Sequence, residues 1–294
     1  MDALCVVDSR TICGEGPVWD HRSGLLWWVD IAGELFNSFD PVTKITSNFN
    51  APCLVSGLCL APGGFLVASA QGIAHLNPVT KSFKPLHAPE PMQKENRLND
   101  MVVDKYGRLW AGTMSKGAKA PQGALYCYDA SGCHVIANGF TVANGSDFSP
   151  DNRTFYIIDS KPRHIRTYDV SDAGEISNQR IFYTFDENDG LPDGLCIDSV
   201  GTLWIAMCGK GAVLGLSPDG KIIARIELAV PKVTSCAFGG ADLKTLYMTT
   251  GTFGLDDRQL TKAPNSGGLF AVQMASPGRK QIEALWPSIE SKIT

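Results

Sequence analysis

NDMVVDKYGRLWAGT, residues 99–113, and DGLCIDSVGTLWIAM, residues 193–207, follow one plan. A polar residue opens a short apolar run, a turn with glycine follows, and a second apolar run carries a tryptophan. Four more copies keep the plan: EGPVWDHRSGLLWWVD from Glu15, SGLCLAPGGFLVASA from Ser56, NGSDFSPDNRTFYIID from Asn144 and SCAFGGADLKTLYMT from Ser235. Successive openings are 41 to 49 residues apart. Apolar runs broken by turn residues read as a β-hairpin. A second hairpin follows in each period, as in GALYCYDASGCHVIA and AVLGLSPDGKIIARIEL. Four strands per period of this length are the signature of a propeller blade. Six copies predict an all-β, six-bladed β-propeller with four antiparallel strands per blade, one domain over residues 1–294. The run LCVVD at 4–8 precedes the first copy and is expected to complete the last blade. Only PMQKEN and LDDRQLTK suggest isolated helical turns.

Composition agrees. In 294 residues, 44% are apolar and 19% charged, enough to fill a core. Thirty glycines and 17 prolines suit many turns. A net charge of −4 carries no basic footprint and argues against nucleic acid. No apolar run reaches the ~18 residues of a membrane-spanning helix. MDALCVVDSR has no basic start and too short an apolar stretch for a secretory signal. Nine cysteines without a C-x-x-C pair read as reduced thiols packed as small hydrophobes, which predicts a cytoplasmic protein.

The register also predicts a site. The first strand of each copy should line the central channel, with its opening residue at the mouth. Those positions hold Glu15, Ser56, Asn99, Asn144, Asp193 and Ser235, all oxygen-bearing. Ring closure would gather them around one axis. Converging carboxylates and amides repel and lose hydration, and a bound cation is the simplest remedy. Oxygen donors suit a hard ion such as Ca²⁺, Mg²⁺ or Mn²⁺, with Zn²⁺ less preferred. Arg97, two residues before Asn99, should share its side of the strand and offer a fork of donors to a polar ligand.

GEGPVWD, NRLND, ANG with SPDNRTFYIIDS, LPDGLCID and TSCAFGG, in this order at blade spacing, resemble the gluconolactonase/regucalcin (senescence marker protein) family across about residues 12–272. The resemblance implies a six-bladed propeller with one divalent cation in its channel, Ca²⁺ ahead of Zn²⁺, Mg²⁺ or Mn²⁺. It implies metal ligands at Glu15, Asn144 and Asp193, and substrate contacts at Arg97, Asn99 and Asp100. It implies hydrolysis of sugar lactones to sugar acids, with Asp193 also the general base and a small sugar lactone as partner. The loop MSKGAKAPQGALY, 114–126, would form part of the substrate lid; it places Lys116 and Lys119 where some relatives carry an acidic residue. A lactone needs a polarised carbonyl, a nucleophilic water and a proton acceptor, all of which this set can supply.

Two other readings remain open: a metal-dependent esterase on another substrate, and a calcium-binding or ligand-binding propeller without turnover. Competing motifs fail. There is no G-x-S-x-G nucleophile elbow and no phosphate-binding G-x-x-x-x-G-K-[ST]. DENDG at 186–190 starts like a calcium loop but puts Leu191 where the glycine belongs. None of the five histidines falls on a ring position.

Overall fold

The computed structural model describes residues 3–285 and contains six four-stranded antiparallel sheets. Each sheet is one blade, and in blades 1 to 5 the strands run in sequence order from the axis outward. The inner strands are Gly14–Asp20, Val55–Ala61, Asn96–Val103, Ala143–Phe148, Leu191–Ile197 and Val233–Gly239. Each touches the inner strands on either side, and the first touches the sixth, which closes the ring. Leu4–Val7 is the outermost strand of blade 6, paired with Leu269–Gln273, as the LCVVD reading expected. The chain therefore fastens its own ring by sheet hydrogen bonds between its two ends.

The turn chemistry explains why these segments become hairpins. In blade 3, Asp104 accepts from the N–H groups of Tyr106 and Arg108 (both 2.9 Å) and from Trp110 Nε1 (3.0 Å). In blade 5, Asp198 does the same for Val200 (3.0 Å), Thr202 (2.8 Å) and Trp204 Nε1 (3.1 Å). One carboxylate thus folds the turn and orients the tryptophan of the next strand, so that the shared Asp-x-x-Gly-x-Leu-Trp pattern specifies both. LDDRQLTK is more than a turn: Asp257–Lys262 is a short α-helix, capped by Asp256 and Gln259. PMQKEN forms only turns before the strand at Asn96.

No blade buries both faces alone, and the core lies between blades. Six apolar clusters each join neighbouring blades: Trp27 with Phe65 for blades 1 and 2, Trp110 with Phe155 for blades 3 and 4, Trp204 with Phe238 for blades 5 and 6. Trp19, Trp28 and Tyr247 join blades 1 and 6 across the closure. Removing apolar surface from water on both faces of every sheet makes the blades mutually dependent.

Residues 277–285 cross the end of the channel where the inner strands finish. The carbonyl of Pro277 accepts from Ser199 N (2.9 Å), Arg279 pairs with Asp147, and the amide of Ala284 donates to Leu60 O (2.7 Å). Ala284 is fully buried. This end is covered, and the mouth where the inner strands begin is the other end.

Every inner strand carries a β-bulge near its start, at Glu15/Val18, Val55/Gly57, Leu98/Met101, Asn144/Ser146, Pro192/Leu195 and Val233/Ser235. The ring residues are therefore not the first residues of their strands, as the sequence reading had them; each strand begins one to three residues earlier. The bulge turns each strand's polar residue out of the pleat toward the axis. Close approach goes with it. A Cβ on Gly145 would lie 2.3 Å from Leu195 N, and one on Gly194 2.0 Å from Ser235 Oγ. Gly145→Ala meets backbone that cannot swing aside. It should cost about 3 kcal/mol in urea unfolding, the overpacking range; an unchanged midpoint would show that the inner strands are looser than described.

Candidate functional site

The bulges build a ring of contacts at the mouth that runs from blade to blade. Ser56 Oγ donates to Leu98 O (3.1 Å), and Asn99 Nδ2 donates to Ala143 O (3.0 Å). Asn144 Nδ2 donates to Asp193 Oδ1, linking blades 4 and 5. Gly194 packs on Ser235, and Gly16 on Gly57. Thr234 Oγ1 bonds the carbonyl of Gly14 and returns the ring to blade 1. The six expected positions are thus together at one end. They are not equivalent: Ser56 and Asn99 are buried and committed to neighbouring carbonyls, whereas Glu15 and Asp193 keep solvent contact at the mouth.

Arg97 and Asn99 stand side by side, with Arg97 Nη1 donating to Asn99 Oδ1 (2.7 Å) and to Leu98 O (2.8 Å). Asp100 shares their bulge; its Oδ1 accepts from Met101 N (2.8 Å) and it lines the small cavity beneath the mouth. Asn144 is steadied by Ser160, whose Oγ accepts from Nδ2 at 3.1 Å. Its amide nitrogen, not its oxygen, faces Asp193. A cation between the two requires that amide to turn over, and the Ser160 hydroxyl can serve either orientation because it both accepts and donates.

Glu15 and Asp193 face the guanidinium of Arg97, and the Asp100 carboxylate lies close to both of them. Desolvation pushes Asp193 up to about 7, with Asp100 adding to the rise; the hydrogen bond from Asn144 and the charge of Arg97 oppose it. Glu15 is raised well above the usual carboxylate range by burial first, then by Asp193 and Asp100. Asp100 is pushed up to about 6, again by burial. The site holds more negative charge than its single cation balances, and two carboxylates with an amide oxygen are a donor set that fits a hard divalent ion.

Some neighbours escaped the sequence reading. Ser160 follows a strand end with no local mark of its role. Cys13 and Cys208, read as core hydrophobes, border the site: burial and the charge of Asp193 push Cys208 up to about 12, and burial with Glu15 raises Cys13 further. Both thiols stay neutral. All nine cysteines are free, but only Cys59, Cys127 and Cys236 are fully buried. DENDG forms a capped 3₁₀ turn, Glu187–Asp189.

Residues 13–252 match the profile of the SMP-30/Gluconolactonase/LRE-like region. A Bacillus subtilis (strain 168) protein bearing the provisional name sugar lactone lactonase YvrE is 36% identical over 288 residues, covering 96% of this chain and 98% of its own. Regucalcin of Oryctolagus cuniculus is 36% identical over 280 residues, covering 91% and 93%. The solved structure of a calcium-binding protein, regucalcin, from Agrobacterium tumefaciens superimposes with a TM-score of 0.91 at 26% identity, over 95% of this chain and 96% of that one.

Ser160→Ala removes one partner of the Asn144 amide. The expected loss is about 1 kcal/mol of unfolding free energy, the ordinary net worth of one hydrogen bond. Unfolding in urea measures it, and no loss would mean that Ser160 does not hold Asn144.

Proposed function

This chain belongs to the SMP-30/gluconolactonase/LRE-like family, and on that premise we propose that it hydrolyses sugar lactones to sugar acids with the help of one divalent cation. The observation that carries the reading is the convergence of Glu15, Asn144 and Asp193, from blades 1, 4 and 5, beside the Arg97–Asn99 pair at the one open mouth. Glu15, Asn144 and Asp193 would hold the ion. Ca²⁺ is the ion proposed, supported by the calcium-binding relative; Mg²⁺, Mn²⁺ and Zn²⁺ suit the same oxygens less well or in tighter geometry. When bound, a divalent ion supplies Lewis-acid polarisation of an ester carbonyl.

The chain's own residues supply the rest. Arg97 is held by Asn99 and the Leu98 carbonyl, so its remaining donors have a fixed direction in which to orient sugar hydroxyls. Asn99 and Asp100, on the same bulge, complete the polar wall on that side. Asp193 takes the proton from the attacking water and passes it to the departing ring oxygen; its second carboxylate oxygen, not engaged by Asn144, is the one free to do so. Residues 277–285 cross the far end, so substrate and product are proposed to pass through the mouth. A soluble sugar lactone is the partner proposed; no helix among the described residues is long and apolar enough to cross a membrane.

Asp193→Asn keeps an oxygen donor but cannot accept a proton. At saturating Ca²⁺, kcat on glucono-1,5-lactone should fall by about 10²–10⁴-fold, the worth of a general base. A value within a few-fold of wild type would remove Asp193 from the chemistry. Glu15→Gln deletes a formal charge and should weaken Ca²⁺ binding in calorimetry by about tenfold or more; unchanged affinity would place the ion elsewhere. Arg97→Ala should act mainly on KM.

A further inference from the structure

A second cavity opens beside the mouth, between the segment joining blades 2 and 3 and the turn that follows the second strand of blade 3. Its volume is about 330 Å³, room for a sugar-sized group, and Arg97 lies on its wall as well as at the mouth. The wall carries Lys94, Arg97 and Lys116 against one carboxylate, Glu90. Glu90 is spent: Oε1 accepts from Thr113 Oγ1 and from Tyr126 OH (both 2.9 Å), and Oε2 accepts from Asn96 Nδ2 (2.9 Å). Those bonds fasten the connecting segment to blade 3 and fix the Glu90 carboxylate against that blade. Lys116 Nζ donates to Lys94 O (2.6 Å), which holds the ammonium at the rim with two N–H donors to spare. Among the described residues, neither Lys94 nor Lys116 forms an ion pair with a carboxylate. Glu95 lies outside this lining.

We propose that this cavity recognises an anionic group, a carboxylate or a phosphate, on the part of the substrate remote from the ester, so that the preferred lactones are acidic ones. The inference rests on the lactonase reading of the adjoining mouth and specifies its substrate class. With Lys94, Arg97 and Lys116 against Glu90 alone, the cleft is net positive and focuses positive potential. An anion there gains charge-assisted hydrogen bonds from Arg97 and Lys116 that a hydroxyl cannot match. Arg97 is common to the cavity and the mouth, and so connects the proposed ion site to the lysines.

The test uses the calcium-loaded protein in two arms. In the first, kcat/KM is measured for glucono-1,5-lactone, for glucaro-1,4-lactone as the carboxylate case, and for 6-phosphoglucono-1,5-lactone as the phosphate case. At least one acidic lactone should exceed the neutral one by about tenfold, with the advantage shrinking as salt is raised. The two acidic lactones tell carboxylate from phosphate. The Lys94→Glu, Lys116→Glu double variant should cut that preference by about tenfold. In the second arm, calorimetry compares gluconate, glucarate and 6-phosphogluconate, which need no turnover. Tighter binding of an acid with the added charge, weakened in the double variant, supports the cavity even if no lactone is opened; that outcome would sink the lactonase reading alone. Equal or tighter binding of gluconate, unaffected by the charge reversal, overturns the proposal even if neutral lactones are hydrolysed well.

Discussion

Six inner strands must begin within contact distance of one another, and the rest of the molecule follows from that crowding. Room exists only because small residues sit at the approach, as where Gly145 meets the backbone at Leu195 and Gly194 meets Ser235. The bulges that produce the approach also turn six polar side chains inward. Ser56, Asn99, Asn144 and Asp193 bond across blades, so the ring at the mouth is at once a structural fastener and the site. A change that loosens one inner strand is therefore felt at the neighbouring strands that carry the carboxylates. The interblade clusters set the angle of each blade, and the outermost strand at Leu4–Val7 fixes the circumference.

The same crowding sets the electrostatics. Glu15, Asp100 and Asp193 come from different blades, and ring closure alone gathers them. In water each would be an ordinary carboxylate; held together and partly desolvated, each keeps its proton more strongly. Arg97 relieves part of this at Glu15 and Asp193, and it also lines the second cavity. The mouth thus divides into an acidic half suited to a cation and a basic half suited to a polar or anionic ligand, about one bulge apart.

Much of this was legible in the sequence, for local reasons. The blade period shows because turn residues and strand alternation repeat within a short span; Asp104 and Asp198 shape their own turns and tryptophans, so the copies resemble one another. The ring positions followed once the copies were aligned. Strand starts did not, because a bulge adds a residue that simple alternation does not reveal. The helix Asp257–Lys262 was under-read although Asp256 and Gln259 form a capping box. Ser160 acts across the hairpin of its own blade, and Thr234 and the crossing at 277–285 act on segments far away in the sequence; none of them carries a local signature. The lysines near Arg97 were visible as residues, but only the cavity and the commitment of Glu90 show what surrounds them.

The central claim is that ring closure assembles one cation site from blades 1, 4 and 5. A crystal structure of the Ca²⁺-loaded protein tests it most directly. The account predicts one ion at the open mouth, about 2.3–2.6 Å from oxygens of Glu15, Asn144 and Asp193, with the Asn144 amide turned so that its oxygen faces Asp193. An ion bound elsewhere, or an Asn144 that still presents its nitrogen to Asp193 in the loaded protein, would contradict it.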